Sequence, residues 1–225
     1  MESNNILIVE SFNDKFFVEG IKKYLNNIDL IITTPICSID DYECLDGISL
    51  KKLTHKLQEL KIRIEKDGVN KVGILLDADN SIDDKIKLIN DALSEIGSTI
   101  TIEQPNKWYA CSCLDVDISC HILNLNGKGE LETILKNIKS KDSTYADCLE
   151  AWKICLATKE QNIDDKQFDK IWVSIYQRYD CCTRKEQKQA ARKCSNEASM
   201  SKGIWDFSHL SLSDFKDFIR MFEKK

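Results

Sequence analysis

Residues 72–80, Val-Gly-Ile-Leu-Leu-Asp-Ala-Asp-Asn, constrain this chain more than any other stretch. A short apolar run that ends at two carboxylates reads as a strand buried on both faces, as in the middle of a parallel sheet. It delivers Asp77 and Asp79 at its carboxyl end. Side chains alternate along an extended chain, so both would leave on one side with small Ala78 between them. Two anions held that close repel, and the pair therefore points to a bound divalent cation. The competing reading is two acids that open a surface loop, one of them capping the next helix.

The rest of the chain bears on that choice. Asn4 to Glu10 is a second short apolar run ending in an acid. Ser11 follows as a helix N-cap with Asp14 three residues on, a capping-box pattern. Phe16, Phe17, Ile21, Tyr24 and Leu25 then recur at helical spacing. Residues 30–36 read as a strand, 49–67 as a helix closed by Gly68, 71–77 as the central strand, 82–96 as a helix ended by Gly97, and 99–103 as a further strand. The β-α-β-α-β-α order predicts an α/β fold, a mostly parallel sheet covered by helices on both faces. Ligands bind such sheets off the carboxyl ends of the strands. Glu10, Asp77 and Asp79 all fall there.

Two short strands are expected around 108–114 and 118–125, then a turn at 126–129 and a helix opened by Glu130-Leu131-Glu132. Acids in a first helical turn favour the helix dipole, which accounts for Glu130 and Glu132 without further function. The alternative is that one of them supplies another metal ligand. Beyond residue 140 the pattern is wholly helical, with helices expected at 147–157, 166–179, 183–195 and 211–223. The chain thus divides into an α/β domain, 1–138, and a C-terminal helical extension, 139–225, packed on it.

The formal net charge of −5 gives no global drive toward nucleic acid, so such a partner would need a local basic patch or a metal bridge to phosphate. Lys15 and Lys128 are the nearest cations that could contact phosphate, the competing reading being ordinary solvent-exposed lysines. Arg184, Lys185, Lys188, Arg192 and Lys193 lie on one expected helix, and positions 184, 188 and 192 share a face. That face either tracks phosphates or is simply solvated. No stretch approaches the roughly 20 apolar residues of a membrane helix. The opening residues lack the basic flank and apolar core of a secretory signal, so a cytoplasmic location and no membrane are expected. The ten cysteines contain no C-x-x-C pair and are expected to be reduced, mostly as small buried hydrophobes.

With Glu10, Asp77-Ala78-Asp79 and Gly129-Glu130-Leu131-Glu132 in view, the chain resembles the Toprim (topoisomerase–primase) superfamily. It is most similar to small stand-alone proteins related to the nuclease domain of overcoming-lysogenization-defect (OLD) proteins. That family ends its first strand in a glutamate followed shortly by an aspartate, here Glu10 and Asp14, with Ser11 where the family usually has glycine. Its Asp-x-Asp on a later strand is matched by Asp77 and Asp79, and a hydrophobic tail after a Trp by residues 203–207.

The resemblance implies a Rossmann-like Toprim sheet and a Mg²⁺- or Mn²⁺-dependent nuclease acting on DNA or RNA, in defence against mobile DNA. Asp77 and Asp79 would hold a metal, with Glu10 as ligand or general base. Glu132, or Glu130 in its place, would complete the site. The resemblance also implies the alternative of a non-catalytic or conditionally active module working beside an ATPase. Since the chain carries no Walker-type Gly-x-x-x-x-Gly-Lys-Ser/Thr, any ATPase would be a separate subunit. Homo-oligomerisation is open on either reading.

Overall fold

The computed structural model describes residues 5–37 and 48–223. Its strands are β1 (Asn5–Val9), β2 (Ile31–Ile32), β3 (Lys71–Asp77), β4 (Tyr109–Cys111) and β5 (Val116–Leu123). They form one sheet in the order β2-β1-β3-β5-β4. All neighbours are parallel except β4, which runs antiparallel along the edge beside β5. Helices α1 (Phe12–Leu25), α2 (Leu50–Asp67) and α3 (Ile82–Glu95) make the crossovers, so the expected α/β architecture is present.

Local chemistry explains the element ends. Ser11 and Asp14 form a reciprocal capping box at the start of α1, and Ser49 and Ser81 cap α2 and α3. Gly68 closes α2 in the left-handed conformation, φ 64°. The central position of β3 explains its apolar run, since alternate residues face two separate cores. Ile74 and Leu76 join Ile6, Ile8, Ile118 and Ile122 under α2 and α3. Leu75 joins Leu7, Val9 and Leu123 on the other face.

That second face is covered by α1 together with α4 (Leu131–Asn137), α5 (Thr144–Ala157), α6 (Asp165–Ile175) and the C-terminal α10 (Ser213–Arg220). Between α6 and α10 come the short helices α7 (Arg184–Gln187), α8 (Ala190–Lys193) and α9 (Asn196–Ser199). The C-terminal helices pack closely on the sheet. A Cβ on Gly73 in β3 would lie 2.8 Å from both Leu7 Cδ1 and Phe222 Cζ and 3.1 Å from Phe218 Cζ. Glycine in the middle of this strand lets the aromatic end of the chain rest on the sheet. Trp205 and Ile204 of the expected hydrophobic tail are buried in the same core, and Phe207 lies against Gly20 of α1.

Three expectations need correction. Residues 99–103 do not form a strand. Ile102 exchanges its backbone hydrogen bonds with the Asn90 side chain of α3, N–H to Oδ1 at 2.8 Å and C=O from Nδ2 at 3.0 Å, so no ladder forms. The helix expected over 183–195 is broken into α7 and α8. Cys182 and Cys194 are joined as a disulfide with their Cα atoms 6.2 Å apart, whereas twelve residues of straight helix would separate them by roughly 18 Å. The same disulfide corrects the expectation of reduced thiols. Arg184, Lys188 and Arg192 are exposed but no longer share one helical face.

Candidate functional site

Six carboxylates gather around the carboxyl edge of the sheet. Glu10 follows the last residue of β1, and its carbonyl accepts the Cys37 N–H at 2.9 Å. Oε2 of its side chain is buried without a hydrogen-bond partner. Burial raises the Glu10 carboxyl above its ordinary value; Lys85 and Lys166 oppose the shift, and Asp79 and Glu130 add to it.

Asp14, in the first turn of α1, is held by Ser11: the Ser11 N–H and Oγ–H both donate to Asp14 Oδ2 at 2.7 Å, and the Asp14 N–H donates back to Ser11 Oγ at 3.3 Å. Its Oδ1 is buried and unpartnered. Burial pushes this carboxyl up to about 7 against the Ser11 hydrogen bonds, with Glu10 and Glu132 adding to the rise.

Asp77 is the last residue of β3, flanked by β1 and β5. Its Oδ1 also lacks a partner. Its carboxyl stands well above the usual carboxylate range, first through burial and then through Asp14, Glu10, Glu132 and Glu130.

Asp79 behaves differently from Asp77, and the expectation that both side chains leave an extended strand on one side is corrected here. The chain turns left-handed at Asp79, φ 49°, which ends the alternation that would have aligned the two side chains. Asp79 Oδ2 accepts from Lys85 at 2.5 Å and Oδ1 from Lys166 at 3.2 Å. Burial acts to raise its carboxyl, but the two lysines prevail and hold it below the ordinary value.

The loop before α4 brings in the remaining acids. Asp79 and Gly129 pair through their backbones, and Leu125 N–H closes the intervening turn on Lys128 O at 2.8 Å. Gly129 takes φ +102°, and a Cβ there would sit 3.1 Å from the Thr133 Cβ. Both facts require glycine. Glu130 is thereby placed next to Asp79, its carboxylate held by Lys166 at 2.5 Å and Lys170 at 3.2 Å. Glu132 is buried behind it and accepts from Asn13 of α1 at 3.5 Å. Burial raises its carboxyl, with Lys170 acting against the rise.

The five sequence-predicted acids, Glu10, Asp77, Asp79, Glu130 and Glu132, are thus brought to one edge. Asp14, which capping chemistry explained on its own, joins them. Sequence reasoning missed Lys85, Lys166 and Lys170. For Lys85 the sequence offered one signal, its place near the start of the helix that follows β3. For Lys166 and Lys170, spacing shows only that the two share a face of α6. Lys153 first and Lys128 with it lower the Asp165 carboxyl, and Lys15 is the fourth residue of α1, partly buried.

Six carboxylates therefore face three ammonium groups. The excess of acidic groups over lysines and the oxygen-only donors are of the kind that suits a hard divalent cation such as Mg²⁺ or Mn²⁺. As placed, no group of three His, Cys, Asp or Glu side chains among the described residues is close enough to hold one ion. Lysines occupy Asp79 and Glu130 instead. An open groove of about 1050 Å³ lies elsewhere, between residues 34–36 and the first half of α2, and contains none of the six acids. His121, on β5, is buried: Nδ1 lies 2.9 Å from Asn106 Oδ1, and the ring stacks on Phe218. Burial lowers its pKa to about 3, which suits packing rather than proton transfer. No helix among the described residues is long and apolar enough to cross a membrane.

No curated protein and no solved structure matches this chain. A family described as a protein of unknown function, DUF3226, matches residues 4–224, taking in the sheet, the acidic edge and the C-terminal helices together. The chain belongs to the DUF3226 family.

Proposed function

We propose that this protein is a Mg²⁺- or Mn²⁺-dependent nuclease of Toprim-like construction, cleaving phosphodiester bonds in DNA or RNA. One observation carries the reading. Glu10 Oε2, Asp14 Oδ1 and Asp77 Oδ1 are buried carboxyl oxygens without a hydrogen-bond partner, gathered at the ends of two adjacent parallel strands. Buried polar atoms are satisfied in the great majority of cases, so three unmet acceptors in one place call for a missing partner. A divalent cation bound there would supply Lewis-acid polarisation of a phosphoryl group and an activated water.

The chain's own residues have distinct tasks. Glu10 and Asp77 are the ligands with free oxygens, and Asp79, Glu132 and Glu130 stand beside them. Ser11 and Asp14 fix the turn that carries Glu10. Lys85, Lys166 and Lys170 neutralise Asp79 and Glu130 at rest, and are the cations nearest to an incoming phosphate.

The test is cleavage of supercoiled DNA and structured RNA by the purified protein with Mg²⁺ or Mn²⁺. Glu10→Gln and Asp77→Asn should each abolish it. Cleavage that survives both substitutions, or no metal-dependent cleavage of either polymer, removes the assignment.

A second reading is favoured by the lysine pairs themselves. With Asp79 and Glu130 tied down, the site fits a conditionally active module completed by a separate ATPase subunit. Activity that appears only when such a subunit and ATP are added would select this version.

A further inference from the structure

The acids at the edge of the sheet fall into two groups. Asp79 and Glu130 have an ammonium on each of their four carboxylate oxygens. Lys85 meets Asp79 Oδ2 at 2.5 Å, and Lys166 meets Asp79 Oδ1 at 3.2 Å. Lys166 also meets Glu130 Oε1 at 2.5 Å, and Lys170 meets Glu130 Oε2 at 3.2 Å. Charge therefore alternates along Lys85, Asp79, Lys166, Glu130 and Lys170, with Lys166 in the middle. Of the three lysines, it alone touches two carboxylates. The second group is Glu10, Asp14 and Asp77, each with a buried oxygen that has no partner. Burial raises the Glu10 carboxyl while the charges of Lys85 and Lys166 oppose that rise, so both ammoniums act across the edge as far as Glu10.

The three lysines are not held alike. The Lys85 side chain is 12 % exposed, whereas Lys166 is 39 % and Lys170 48 % exposed. Helix α6, which carries the last two, is firmly seated. Phe168, Trp172 and Val173 are buried in the core, and Asp169 accepts from Thr133 at 2.9 Å and from Lys136 at 3.2 Å. Lys166 can thus leave its carboxylates by turning its own flexible stem into solvent, with the helix in place.

We propose that Lys166 is an internal counter-cation, holding the acidic edge closed to a divalent metal until its side chain swings away. The proposal rests on the metal-binding reading above and adds a regulator to that site. Direct ligation places a divalent ion roughly 2.0–2.6 Å from a carboxylate oxygen. An ion so placed on Glu130 Oε1 would lie no more than about 5 Å from the Lys166 ammonium, well inside the screening length of physiological salt. The two cations repel and compete for the same lone pairs. Lys170 competes for Glu130 alone, and Lys85 is packed away on Asp79.

Calorimetric titration of the full-length protein with Mn²⁺ reads the competition without any turnover. Lys166→Gln should bind Mn²⁺ about tenfold more tightly than the parent, with an unchanged circular dichroism spectrum. Lys166→Met keeps the aliphatic stem and should show the same gain if the amide disturbs folding. Lys170→Gln removes the same charge from one carboxylate instead of two and should gain less. Lys166→Arg keeps the charge and should bind no more tightly than the parent. A gain no larger than that of Lys170→Gln, or an equal gain in Lys166→Arg, would overturn the proposal. The metal-binding reading would then still stand if Glu10→Gln and Asp77→Asn abolish the parent's binding. Binding that those two substitutions leave intact, or no binding by parent or Lys166→Gln at about 1 mM Mn²⁺, would remove the reading and the proposal together.

Discussion

Asp79 and Gly129 exchange both of their backbone hydrogen bonds, N–H of Asp79 to O of Gly129 at 3.0 Å and N–H of Gly129 to O of Asp79 at 2.8 Å. This two-residue clamp joins the end of β3 to the start of α4 and so sets the distance between Asp79 and Glu130. Gly129→Ala puts a Cβ into a left-handed backbone and against Thr133, at a cost of about 1–3 kcal/mol. Urea unfolding should show that loss. Calorimetric titration with Mn²⁺ should show weaker binding than in the parent, since Glu130 loses its fixed place.

The buried acids make the metal-free fold sensitive to pH. Asp14 has a folded pKa of about 7 against 3.8 for the unconstrained group. Between those values the native state binds more protons than the unfolded state, so the stability contributed by this group is full below pH 3.8 and is lost as pH rises toward 7. Asp14→Asn keeps an acceptor for Ser11 and removes the titration. Relative to it, the parent should lose up to about 1.4 kcal/mol per pH unit across that window in EDTA. Equal slopes for the two proteins would show that Asp14 is not held protonated. On the metal-binding reading, Mn²⁺ should restore part of the parent's loss near neutral pH.

His121 acts with the opposite sign. Its folded pKa of about 3 lies below the 6.5 of the free imidazole, so the native state binds fewer protons and stability falls as pH drops from 6.5 toward 3. His121→Phe keeps the ring contacts with Phe215 and Phe218 but cannot titrate. The parent should become less stable relative to this variant by about 1.4 kcal/mol for each pH unit lowered, measured by denaturant unfolding. A constant difference from pH 4 to 6 would contradict the assigned burial.

Gly73→Ala tests the seat of the C-terminal segment. The added methyl would meet Leu7 and Phe222 at 2.8 Å, closer than packed atoms approach. Overpacking of this kind costs about 1–3 kcal/mol. The urea midpoint should fall, with no change in the residues at the acidic edge.

The parts of the fold that sequence revealed are those whose physics is local. Ser11 and Asp14 announced a capping box, Gly68 a helix end, and the runs ending at Glu10 and Asp77 their own burial, because each signal and its structure lie within a few residues. What stayed hidden depends on partners far along the chain. Residues 99–103 have the β-branched content of a strand, yet Asn90 takes their hydrogen bonds. Residues 183–195 have the spacing of one helix, yet the Cys182–Cys194 disulfide folds them back. Lys166 and Lys170 sit 87 and 40 residues beyond Asp79 and Glu130, at 166 − 79 and 170 − 130, and no periodicity predicts that α6 returns to the acidic edge.

The seating of Phe218 and Phe222 on Gly73 reaches beyond packing. The first strand and the final aromatic residues belong to one core, and Lys71 Nζ donates to the Met221 carbonyl at 3.0 Å at the start of β3. The strands that carry Glu10 and Asp77 therefore lose one wall whenever the end of the chain detaches. Contacts spanning so much of the sequence carry a loop-closure cost that slows folding. Loosening the seat of Phe218 and Phe222 is therefore expected to reach the acidic edge as well as the core, because the same strands end at Glu10 and Asp77.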